Sequence, residues 1–157
     1  MRGKYFSFGA TSAVITGLAV IVSLSRTANP VIAITTALVV IAIADNISDS
    51  FGIHVHQESQ KESAREVRKT TFTNYVTRVA VVSIFVLLVM LLPVNAAVAL
   101  SIFFGTAVIS VISYFIAKEQ EAKPHKIVFQ HLLITALVIA GSYFLREVSA
   151  RLIAKFG

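Results

Sequence analysis

Five stretches of the chain contain no Asp, Glu, Lys or Arg: residues 5–24, 31–44, 79–92, 94–117 and 127–145. A helix needs roughly 20 predominantly apolar residues to cross the hydrocarbon core of a bilayer. The first, fourth and fifth runs approach or exceed that length unaided. The second reaches it by continuing through Asp45 and Asp49 to Gly52, and the third by extending back through Arg78 to the Thr/Asn-rich stretch at Thr70. These lengths predict an all-α, polytopic membrane protein forming a single domain over residues 1–157. Its five transmembrane helices are expected over about 5–24, 30–53, 72–92, 94–117 and 127–145, with a polar helical segment over about 54–70. Asn29 and Pro30 suit the N-cap and N1 positions of the second helix, and Pro93 and Asn95 the turn after the third.

Composition agrees with the runs. Of 157 residues, 56% are apolar and only 14% charged, with a mean hydropathy of +0.80, whereas a globular chain carries about 25% charged residues. A water-soluble domain and a disordered chain are both excluded. With no cysteine, disulfides, thiolate metal sites and cysteine nucleophiles are excluded too. The net charge of +6 does not signal nucleic acid, because the basic residues flank apolar runs and form no patch with interleaved aromatics. The expected partner is the lipid bilayer, with anionic headgroups as counter-charge.

Arg2 and Lys4 precede the first run as in a secretory signal, yet no small-x-small cleavage site closes it, so the run is expected to stay on the protein. Orientation follows the basic residues. With the N-terminus cytoplasmic and the C-terminus outside, the inner side receives ten (Arg2, Lys4, Lys61, Arg65, Arg68, Lys69, Arg78, Lys118, Lys123 and Lys126). The outer side receives four (Arg26, Arg146, Arg151 and Lys155), completing the 14 in the chain.

Charged residues inside the runs carry the functional signal, since each costs about 2.5–3.5 kcal/mol near the bilayer centre and so faces protein or water. At 100° per residue, Asp45, Asp49, Gly52 and His56 fall within about 60° of one another on a helix, while His54 points the other way. Two carboxylates one turn apart, followed by an imidazole, make a candidate cation site. Oxygen ligands favour Mg²⁺, Ca²⁺ or Mn²⁺, and imidazole extends the range to Fe²⁺ and later metals. Asp45 lies about 22 Å along its helix from Pro30, and Arg78 and His131 lie at about the same distance from Pro93 and Arg146. Gly9, Ser12 and Ser110 fall near that level, so a shared polar layer is expected. Arg78 is a candidate counter-ion to the aspartates and His131 a candidate member of the layer. An alternative is that the aspartates and Arg78 form a purely structural network, although one arginine cannot neutralise both.

In residues 54–69 (HVHQESQKESAREVRK), Glu58, Glu62 and Glu66 recur every four residues beside Lys61, Arg65 and Lys69. They read either as a solvated helix face or as a cation-collecting stripe at the cytoplasmic mouth of a pathway. Gly9, Ala13 and Gly17 form a small-residue face on the first helix that suits close packing, within the chain or across a dimer.

The segments GATSAVITG at 9–17 and IADNISDSFG at 43–52 resemble the vacuolar iron transporter family, whose second span carries an Ala-Asp-x-Ile-Ser-x-x-x-Gly signature. The resemblance implies five spans, a homodimer packed through the first helix, and exchange of divalent iron or manganese for protons along a path lined by the first two helices. It implies a role for Asp49, and the leading expectation has Asp45 and Asp49 bind the metal with Ser12 and His56 as auxiliary ligands. The transported Fe²⁺ or Mn²⁺ would be the substrate, with no tightly bound cofactor. The membrane would be the cell membrane of a prokaryote or a vacuole-type membrane of a eukaryote. Two departures stand out. Thr11-Ser12-Ala13 replaces the family's Asn-Asp-Gly on the first helix, and the large glutamate-rich cytoplasmic insert shrinks to residues 54–69. Asp49 stands where the family has methionine, which should shift preference towards harder cations.

The leading expectation is therefore a proton-coupled divalent-cation antiporter. The alternative is a non-transporting scaffold or partner-binding subunit with a structural Asp–Arg network. No H-E-x-x-H, P-loop or nucleophile elbow occurs, and no enzyme activity is expected.

Overall fold

The computed structural model describes residues 4–156, which are helical apart from short turns. Arg2, counted above, lies outside the described residues, as does the side chain of Lys4. Five helices are long and apolar enough to cross a membrane: α1 (Lys4–Leu24), α2 (Pro30–Ser59), α3 (Ala64–Leu91), α4 (Val94–Glu119) and α5 (Pro124–Phe156).

Helix ends follow local chemistry. Asn29 precedes Pro30 at the start of α2, as the sequence suggests, but its side chain makes no capping bond. The polar stretch 54–70 is not one helix. Its first part ends α2, and the chain then turns with Lys61 at φ 56°, the amides of Lys61 and Glu62 donating to the carbonyls of Glu58 and Gln57. Ser63 caps α3 by accepting from the Glu66 amide at 3.3 Å, so Ser-x-x-Glu here is a helix start rather than the middle of a helix. The turn between α4 and α5 repeats this geometry, with Glu121 at φ 53° and the Ala122 amide donating to the Ala117 carbonyl at 2.9 Å. Both turns lie at one end of the bundle, here termed the charged end. α5 also runs well past the expected boundary at Leu145.

α1 is the central helix and packs against the other four. Its buried face, Ala10, Ala13, Val14, Leu18 and Ile21, meets Ile34 and Leu38 of α2, Val81, Val82, Phe85 and Val89 of α3, and Ala97, Ile109 and Ile112 of α4. The small residues permit the closest approaches. A Cβ on Gly17 would sit 2.6 Å from the Phe85 ring, and one on Gly9 would sit 2.7 Å from Asn74 Oδ1. The Gly9/Ala13/Gly17 face is thus spent within the chain on α3. It is not free to form the seam of a homodimer.

Among the described residues, α2 carries the one π-helical turn, over Ile41–Asp45. Before it, the buried positions are Ile34 and Leu38; after it they are Asn46, Ser50 and Gln57. A uniform helix continuing from Ile34 and Leu38 would bury positions 41, 45 and 49. The π turn inserts one residue and moves the buried stripe on by one. Small amide and hydroxyl side chains therefore face α3, while Asp45 and Asp49 stand beside the stripe, half-buried.

Candidate functional site

The charged residues of the spans meet where α1, α2 and α3 converge. Arg78 on α3 is 2% exposed, among the deepest side chains of the protein. Its Nη2 donates to Asp45 Oδ2 at 2.5 Å, and its Nη1 donates to Asp49 Oδ2 and to Ser12 Oγ at 2.6 Å. A planar guanidinium suits this task, because its fixed fork reaches two carboxylates one helical turn apart. The formal charge of the cluster is −1. Ser12, expected as an auxiliary metal ligand, is engaged by Arg78.

Polar contacts extend the cluster along the α2–α3 seam. Asn46 Nδ2 donates to the Tyr75 carbonyl at 3.0 Å, Asn74 Nδ2 to Ser50 Oγ at 3.1 Å, and Gln57 Nε2 to Glu62 Oε2 at 2.7 Å. Asn46 and Gln57 bond to groups that only accept, which fixes the orientation of their amides. Their carbonyl oxygens, and that of Asn74, are buried without a hydrogen-bond partner. An orphaned buried acceptor costs about 1–3 kcal/mol. The seam is thus rich in oxygen and short of donors.

A cleft of about 990 Å³ opens on one side of α2, lined by Ser7, Thr11, Asp49, His56, Gln57, Glu62 and His131 among others. Asp49, Gly52 and His56 line it together, sharing a face as their spacing indicates, and His56 is exposed. His131 on α5 meets Ser113 Oγ through Nδ1 at 2.7 Å. The Ser113 hydroxyl donates to the Ile109 carbonyl, 2.6 Å away, which leaves the His131 ring nitrogen as the donor in their contact. Ser110, expected in the polar layer, instead bonds back to the Thr106 carbonyl of its own helix.

The three glutamates do not form one stripe, because the turn at 60–63 divides them. Glu62 lines the cleft. Glu58 pairs with His54 Nε2 at 3.3 Å on the other side of α2, and Glu66 belongs to the first turn of α3. Among the described residues, no group of three or more His, Cys, Asp or Glu side chains could together hold a metal ion.

Sequence reasoning missed Asn46, Ser50, Gln57, Asn74 and Ser113. The available signal was a run of uncharged polar residues at 46, 50 and 57 on α2 matched by 70, 74 and 77 on α3, each set repeating at helical spacing.

The fold and site define a multi-pass membrane protein with a charge cluster inside the bundle. Comparison with protein-family models, curated proteins and solved structures finds no match. The resemblance to vacuolar iron transporters therefore rests on the two quoted motifs.

Proposed function

We propose that the protein moves cations across a membrane, taking a divalent metal of the iron or manganese type in exchange for protons. The charged end is cytoplasmic in this reading, so the cleft opens inward. The observation that carries it is the junction of an open cleft bearing Asp49, His56, Glu62 and His131 with the net-negative Asp45–Arg78–Asp49 cluster. The acceptor-rich seam behind the cluster favours a positive guest over a negative one. Arg78 acts as an internal counter-ion that holds the carboxylates until a cation or proton replaces one of its bonds. The carboxylates bind the substrate, and His56 and Glu62 guide it in. Any dimer uses a face other than Gly9/Ala13/Gly17.

Flux of Fe²⁺ and Mn²⁺ into proteoliposomes under an imposed pH gradient tests this, with wild type compared against Asp45→Asn. Flux driven by the gradient is expected in wild type and at background in the variant. Equal flux in both would remove Asp45 from the site.

A second reading has specific support. Arg78 engages both carboxylates and Ser12, and the described residues offer no cluster of three ligands. A non-transporting scaffold with a structural Asp–Arg network predicts no flux of either metal in inserted wild-type protein. Asp45→Asn would then alter stability or assembly alone.

A further inference from the structure

A second cavity, of about 450 Å³, lies on the opposite side of α2 from the cleft, between α2 and α3. Ile47, Phe51, Phe72 and Tyr75 furnish an apolar, aromatic wall, and His54 and Arg68 stand at the charged end. Phe51 and Phe72 are 65% and 69% exposed, so the groove opens away from the bundle. In a membrane that is the direction of the lipid.

Depth distinguishes the two parts of this groove. Counting 1.5 Å per residue, Arg68 lies about 35 Å from Leu91 at the far end of α3, and His54 about the same from Pro30 at the far end of α2. The hydrocarbon core is about 30 Å thick, with headgroups continuing beyond it. Ile47 and Tyr75, at about 25 Å, sit among acyl chains, while Arg68 and His54 reach the level of lipid phosphates. Among the described residues Arg68 has no ion-pair partner, whereas His54 of the same groove pairs with Glu58.

We propose that this groove is a binding site for one anionic phospholipid of the leaflet at the charged end. An acyl chain lies along Ile47, Phe51 and Phe72, and Arg68 takes the phosphate. A basic residue between helices at headgroup level recognises such lipids, each cation contributing about 1 kcal/mol or about fivefold in affinity. Asn74 and Thr71 of α3 bond to Ser50 and His54 in the groove wall, which holds the two helices that frame the groove together. The proposal does not depend on whether the protein transports a cation.

The test uses the full chain in nanodiscs of equal parts phosphatidylglycerol and phosphatidylcholine, with native mass spectrometry counting the lipids retained after release. Wild type is expected to hold one phosphatidylglycerol in preference to phosphatidylcholine. Arg68→Gln should lower that preference about fivefold, Arg68→Lys should retain most of it, and Lys123→Gln, at the same end of the bundle, should leave it unchanged. Equal retention of the two lipids by wild type, or an unchanged preference in Arg68→Gln, would overturn the proposal.

Discussion

Among the described residues, Arg78 alone forms ion pairs with two carboxylates. Two arms of its guanidinium serve three acceptors on two other helices, at 2% exposure. Removing it by Arg78→Ala leaves two carboxylates facing each other without a cation. Breaking a buried pair costs about 3–5 kcal/mol, and the lower end applies here because the carboxylates are only half-buried and Asp49 lines an open cleft. A matching fall in the thermal midpoint in detergent is expected. Arg78→Lys keeps the charge, but one ammonium cannot span both carboxylates, so its midpoint should fall between the two. An unchanged midpoint in Arg78→Ala would mean that the carboxylates are solvated without it. The three charges at this site were legible in the sequence because an ionised side chain inside an apolar run has few tolerable places to go. Asn46, Asn74 and Ser113 were not, because an uncharged polar side chain is tolerated on many faces of a span and its partner depends on the phase of a neighbouring helix.

Within α2, the π turn decides which side chains meet α3. The sequence reading grouped Asp45, Asp49, Gly52 and His56; the last three lie beyond the turn, where 100° per residue holds, and line one cleft, whereas Asp45 lies within the turn and is not part of that lining. It could not relate them to Ile34 and Leu38, because one extra residue in the helix shifts the phase between the halves. Deleting Ile43, 55% exposed, should convert the turn into regular α-helix while keeping both flanking stripes in register, with little loss of thermal stability. Deleting Leu87, equally exposed at 55% but within regular α3, should rotate one side of that helix by about 100°. It would displace Phe85 or Val89 from the core at a cost on the scale of a large-to-small substitution, about 3–5 kcal/mol. Comparing the two melting midpoints checks the assignment; similar losses would argue that the turn does not carry the phase shift. The polar segment 54–70 shows the opposite limit of pattern reading. Its four-residue spacing is real, but Ser63 and Glu66 cap a new helix in the middle of it.

At the scale of the whole molecule, the number of helices was legible because bilayer thickness sets a minimum run length. Their arrangement was not. Every span is apolar on most faces, so nothing in the pattern says that α1 is central while α2 and α5 lie at the periphery. The orientation expected from the ten-to-four distribution of basic residues is open to direct measurement, because the chain has no cysteine of its own. In intact cells, a membrane-impermeant maleimide should label Asn95→Cys and should reach Lys61→Cys only after permeabilisation. The reverse pattern would place the mouth of the cleft on the outside.

The order of the cluster along the chain has a consequence for biogenesis. Asp45 and Asp49 precede Arg78 by 33 and 29 residues, on helices joined by a tight turn. The aspartates leave the ribosome first, and the arginine follows within 33 residues. Entering as a hairpin, the two helices would present a net charge of −1 to the bilayer instead of two unpaired carboxylates. α1, synthesised earliest, then acquires its polar neighbours as an already matched pair.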